Sequence, residues 1–166
     1  MEFPGRAGII DQLKAFKKDP HVSKLYVHGE PYCGKTVLVK NIISDCLYVD
    51  VKEVPTVKVL LRRLAPLSGH CESLFSFCQA LEGKRSKMLV VLDHIEEFAN
   101  LDDGQDVLEV LARIPERCKG IKVVLIGRRP MCLDHLQPKV IHIPALEKDD
   151  LISTVVNECN ENYAGV

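Results

Sequence analysis

The chain has 166 residues, 46% of them hydrophobic and 27% charged, with a formal net charge of −1; this describes one globular domain with enough length for a substantial core. The near-neutral balance limits what charge says about partners: lysine and arginine fall in small clusters (Lys17 and Lys18, Arg62 and Arg63, Lys84 to Lys87, Arg128 and Arg129) that read mostly as solvated helix ends and turns, with a DNA contact by one of them as the alternative. Seven cysteines, an odd number with no Cys-x-x-Cys pair, suggest neither a disulfide framework nor a zinc ribbon and suit a reducing compartment; "MEFPGR" lacks an apolar signal region, and no apolar run approaches the ~18 residues of a membrane span, so neither secretion nor insertion is expected.

Along the chain, Ile9, Ile10, Leu13 and Phe16 have helical spacing, and "KLYVH" (24–28) then reads as a buried strand. Val37, Leu38, Ile42 and Ile43 mark a second helix, "CLYVDV" (46–51) a second strand, and two more helical segments follow at Val57, Leu60, Leu61 and Leu64 and at Leu74, Phe77, Cys78 and Leu81. "MLVVLD" (88–93), a helix through Val107, Leu108, Leu111 and Ile114, and strands "KVVLIG" (122–127) and "KVIHI" (139–143) complete the alternation. Strands alternating with amphipathic helices predict an α/β fold with a five-stranded parallel sheet covered on both faces. After Pro144 a further helix begins and soon runs out of apolar residues.

Between the first strand and the second helix, "GEPYCGKT" matches G-x-x-x-x-G-K-[ST] over Gly29 to Thr36, in the strand-to-helix setting that gives this pattern its meaning. Gly29, Glu30, Pro31, Tyr32, Cys33, Gly34, Lys35, Thr36 and Val37 are the expected nucleotide-binding residues of a P-loop. Backbone N–H groups from Tyr32 to Thr36 would wrap the α and β phosphates at the positive end of the helix, Lys35 would reach the β and γ oxygens, and the Thr36 hydroxyl would bind Mg²⁺. Gly29 and Gly34 permit close backbone approach, and Pro31 stiffens the outer loop. A metal held by one hydroxyl and phosphates needs a carboxylate from another strand end. Asp93, closing "MLVVLD", is that expected ligand, with a helix N-cap as its alternative role. No Asn-Lys-x-Asp stretch supports guanine, so ATP is the expected nucleotide.

The ordered segments "FPGR", "GEPYCGKT", "VVLDHIEEF", "VVLIGRR" and "VIHIPALEKDDL" resemble the AAA+ nucleotide-binding domain of the origin recognition complex and Cdc6 initiator group, from Phe3 to about Val156. That resemblance implies a P-loop NTPase base domain over residues 1–146, with strand order 5-1-4-3-2, and the start of an incomplete helical lid over 147–166. It also implies that Phe3, Pro4 and Arg6 line the adenine pocket; a mobile terminus turning at Pro4 and Gly5 is the other reading. Expected partners are the other AAA+ subunits of a hetero-oligomeric ring, with DNA contacted through the assembled complex and only weakly by this chain, in the nucleus.

Three departures from the family pattern bear on mechanism. Active members resembling this chain carry Asp-Glu at the end of the third strand, the glutamate serving as base toward the attacking water, whereas this chain has Asp93-His94. Losing a general base costs about 10²- to 10⁴-fold in rate. Glu96 and Glu97 lie further on and do not inherit the position, so no catalytic residue is assigned. Where a polar sensor should cap the fourth strand stands Gly127, followed by Arg128 and Arg129, candidates for an interface or finger role in competition with Arg113 and Arg117. Finally, no second sensor and no winged-helix pattern follow. Two functions result: an ATP-binding assembly module that holds Mg-ATP with little or no turnover, or a working ATPase of the initiator, loader or STAND signalling type in which His94 or Glu96 positions the water.

Overall fold

The structure, a computed structural model, describes residues 5–31, 33–130 and 133–145. Five parallel strands, β1 (Lys24–His28), β2 (Leu47–Asp50), β3 (Arg85–Asp93), β4 (Lys119–Gly127) and β5 (Lys139–His142), form one sheet in the order β2-β3-β4-β1-β5. Read from the other edge this is the expected 5-1-4-3-2.

Strand alternation divides the core in two. Leu25, Val27, Val91, Val124, Ile126 and Ile141 face α1 (Ala7–Lys18) and α2 (Lys35–Ile42), which contribute Leu13, Phe16, Leu38 and Val39. Tyr26, Val90, Leu92, Val123 and Leu125 face the opposite layer. That layer is α3 (Val57–Arg63), α4 (Ala65–Ser68), α5 (Leu74–Leu81), α6 (Gly104–Ala112) and α7 (Ile114–Arg117). Burial on both faces is why these strands are continuous apolar runs with no polar alternation. Two of these helices, α3 and α5, start where side chains satisfy free N–H groups: Thr56 accepts from the Val59 amide at 3.2 Å, and Ser73 and Ser76 form a reciprocal capping box.

β3 and β4 begin three residues earlier than their apolar runs suggest. Arg85 pairs with Lys119 at the N-terminal edge of the sheet, and the register shifts before Met88 meets Ile121. There Gly120 adopts φ +95° and has Ser86 O 2.4 Å from where a Cβ would sit. The expected lid over 147–166 lies outside the described residues.

Candidate nucleotide-binding site

The site forms at the C-terminal ends of the strands, where β1 gives way to the loop before α2. Gly29 is pressed between neighbours: a Cβ there would stand 2.6 Å from Ile143 O and 2.8 Å from Cys33 Sγ. The Gly29 amide donates to Gly127 O at 3.2 Å, tying the root of the loop to the end of β4. Gly34, directly before α2, takes φ +86° with nothing within 4 Å of a Cβ position, so its backbone faces open space in a conformation that favours glycine. The N-terminal N–H groups of α2 border that space with the positive end of the helix dipole.

Two basic side chains are drawn into the loop. Lys35 is 8% exposed and its Nζ donates to Glu30 O at 3.2 Å. Arg6, 5% exposed, donates from Nη2 to Cys33 O at 3.1 Å, which brings the segment before α1 against the loop. Val37 is exposed on α2. Phe3, Pro4 and Tyr32, also expected at the nucleotide, lie outside the described residues.

Asp93 is completely buried and fully engaged. Its Oδ2 accepts from Thr36 Oγ1 at 2.7 Å and from the Tyr48 hydroxyl at 2.6 Å, while Oδ1 accepts from the His94 amide at 2.8 Å. Burial, and then the Asp93 carboxylate beside it, push the Tyr48 phenol far above its ordinary value, so it remains a proton donor. Lys40 of α2 lies over the Tyr48 ring, 4.0 Å from its centre. The N-cap alternative for Asp93 does not describe this arrangement: the carboxylate reaches across to the loop helix.

His94 follows in a left-handed conformation (φ 57°, ψ 53°) that starts a 3₁₀ helix over Ile95–Asn100. Its Nδ1–H donates to Asp50 Oδ1 at 2.7 Å, so the ring is held toward β2, the edge strand. Glu96 takes a different path. Its carboxylate accepts from the Arg128 amide just past β4, and a Cβ on Gly127 would lie 2.7 Å from Glu96 Oε1 and 2.7 Å from the Tyr26 hydroxyl. The slot where a polar sensor was expected is therefore filled by side chains from elsewhere. Arg128 and Arg129 are exposed and make no side-chain ion pair among the described residues, while Arg113 pairs with Glu109 and Glu116, and Arg117 with Glu82.

Residues 25–144 match the family model for the ATPase family associated with various cellular activities (AAA). The chain belongs to the AAA ATPase family. No curated protein sequence matches it. Among solved structures, this AAA domain is similar to the ORC1 protein of Aeropyrum pernix in complex with DNA (TM-score 0.75, 17% identity, 96% of this chain and 50% of that one). It is also similar to Drosophila ORC bound to DNA (TM-score 0.72, 21% identity, 96% and 49%) and to a Walker-type ATPase of Pyrococcus abyssi (TM-score 0.68, 14% identity, 98% and 59%). The AAA domain thus spans about half the length of the first two and somewhat more of the third.

Family membership implies nucleotide binding, and the donor set of this AAA domain fits the usual ligands. A glycine in a left-handed conformation at the mouth of a helix offers amides to phosphate, and a hydroxyl hydrogen-bonded to a buried carboxylate offers the hard oxygens that magnesium prefers. A separate cleft of about 870 Å³, lined by Lys17, Lys18, Lys87, Lys122 and Asp45 among others, lies at the N-terminal ends of the strands and shares no residue with the site. Sequence reasoning missed Tyr48 and Asp50. They share one face of β2, and Asp50 is in register with Asp93; their part could be read only once β2 was known to adjoin β3.

Proposed function

We propose that this AAA domain is the ATP-binding module of a DNA replication initiator subunit of the origin recognition complex type, in which bound Mg-ATP stabilises subunit assembly and is hydrolysed slowly or not at all. Among such subunits its motifs are most like subunit 5. Other AAA+ subunits are its partners, Arg128 or Arg129 is available to reach one of them, and DNA is met through the assembled complex, in the nucleus.

The observation that carries the reading is the fate of the position after Asp93. A water-activating carboxylate is expected there in working members, and this chain has His94, turned toward β2 and hydrogen-bonded to Asp50. Phosphoryl transfer depends on positioning, and a ring held by the edge strand is poorly placed to orient water over a phosphate. The remaining parts serve retention. Loop amides and Lys35 bind the phosphates, the Thr36 hydroxyl and Asp93 hold magnesium, and Arg6 secures the loop from the base side. Magnesium, when bound, neutralises charge on the phosphate oxygens. A ligand that binds only the closed arrangement stabilises it by mass action, with no need for turnover.

One observation favours the second reading, a working ATPase. Glu96 brings a carboxylate to the end of β4, beside the root of the loop, where it could orient a water. The deciding experiment measures ATP retention and multiple-turnover hydrolysis on the same purified sample. Retained ATP with turnover at least about 10²-fold below working ATPases is expected, and Lys35→Ala should abolish binding. Turnover at an ordinary ATPase rate would overturn the proposal.

A further inference from the structure

Asp93 has no solvent to satisfy it, so its orientation is decided by its three protein donors. A carboxylate has about four acceptor directions. Thr36 Oγ1 and the Tyr48 hydroxyl occupy both directions of Oδ2, and the His94 amide occupies one of Oδ1. The ring Nδ1 of His94 also stands 3.7 Å from Oδ1. Two of these donors are fixtures of any such site, a loop hydroxyl and the chain's own next amide. Tyr48 is not: it comes from the edge strand, two residues before Asp50. Its ring is held from the other side by Lys40, on the helix that also carries Thr36.

We propose that Tyr48 is a positioning residue for the metal: its hydroxyl locks Asp93 Oδ2 against rotation, so that the carboxylate is held beside the Thr36 hydroxyl, ready for magnesium or a magnesium-bound water. The proposal rests on the reading of Gly29 to Thr36 and Asp93 as a Mg-nucleotide site. Thr36 can donate its proton to Asp93 and still offer an oxygen lone pair to the metal, so the Tyr48 contact and metal binding are compatible. Without the phenol hydroxyl, a buried carboxylate oxygen loses half of its partners and the group can turn about its side-chain bond. Tyr48 reaches the nucleotide only through the metal, and the loop's grip on bare ATP stays as it was.

The test is ATP affinity of the full chain with and without magnesium. Tyr48→Phe keeps the ring and its contact with Lys40 and removes only the donor. Expected is a loss of roughly tenfold or more in the affinity gained by adding magnesium, the usual effect of deleting a group that orients a metal ligand, with ATP affinity in chelator unchanged. In an Asp93→Asn background, Tyr48→Phe should have no further effect on the magnesium response. An unchanged or enhanced magnesium response in Tyr48→Phe overturns the proposal. So does an equal loss with and without metal, the mark of a merely structural tyrosine, or an additional loss in the Asp93→Asn background. If Lys35→Ala leaves ATP binding intact, the underlying site reading fails; if Lys35→Ala abolishes binding and Tyr48→Phe is indifferent to magnesium, only the role of Tyr48 fails.

Discussion

Gly127 illustrates how a single residue type can mark an occupied site. Met as sequence, a glycine at the end of the fourth strand is a missing side chain. In three dimensions the space is taken by the Glu96 carboxylate and the Tyr26 hydroxyl, both of which also hold backbone of the following turn, at Arg128 N and Arg129 O. Restoring a polar sensor there, as in Gly127→Asn, forces those groups aside and is expected to destabilise the domain by about 1–3 kcal/mol, read as a lowered denaturant midpoint. Adding Glu96→Ala should recover part of that loss by opening the slot. A midpoint unchanged by Gly127→Asn would show that the slot is roomier than the geometry implies. Residues of this kind were not legible in the sequence. Gly29, Gly34, Lys35 and Thr36 announce themselves by local spacing, and Asp93 by ending an apolar run. Glu96, Tyr48 and Asp50 act across strands, and nothing within a few residues of them signals the contact.

At the scale of elements, the apolar strands and the larger helices were readable because both faces of the sheet are covered and each helix buries one side. α4 was not, since four residues with a proline near the start show no period, and the polar beginnings of β3 and β4 carry no apolar signal. The β1–β5 junction holds a feature with a pH consequence. His28 and His142, paired in register, bring their Nδ1 atoms to 3.3 Å with ring centres 4.8 Å apart, and Tyr26 stacks on His28. Burial, and secondarily the neighbouring His142, lower the His28 pKa below its ordinary value of 6.5. The unfolded chain therefore takes up this proton before the folded one does. The resulting stability is complete above about pH 6.5 and is lost as the pH falls from there toward the lowered folded value. The melting temperature of the native chain should fall over that interval, and His28→Gln should flatten this part of the profile; an identical acid limb in the variant would remove His28 as its source.

For the whole molecule, the two hydrophobic layers are separate clusters on opposite faces of one sheet, and the loop between β1 and α2 sits at the rim, where strand ends from both meet. Ligand binding at such a rim engages β1, β3, β4 and α2 together, so it should be felt as global stability. Mg-ATP at a hundred times its Kd adds about 2.7 kcal/mol, which for a domain of this size raises Tm by about 5–10 °C. Calorimetry or dye-monitored melting should show that rise in the native chain and none in Lys35→Ala. A melting point indifferent to Mg-ATP in the native chain would mean that the ligand does not select the folded state.

The crowding at Gly29 has a mechanical side. Its amide is tied to β4, a side chain on it would run into the Ile143 carbonyl, and the Ile143 amide is itself bonded to His28 O at 2.8 Å. The root of the loop and the exit from β5 thus form one rigid bearing. A displacement of that root would therefore be carried both into the end of β4 and into residue 143, just past β5.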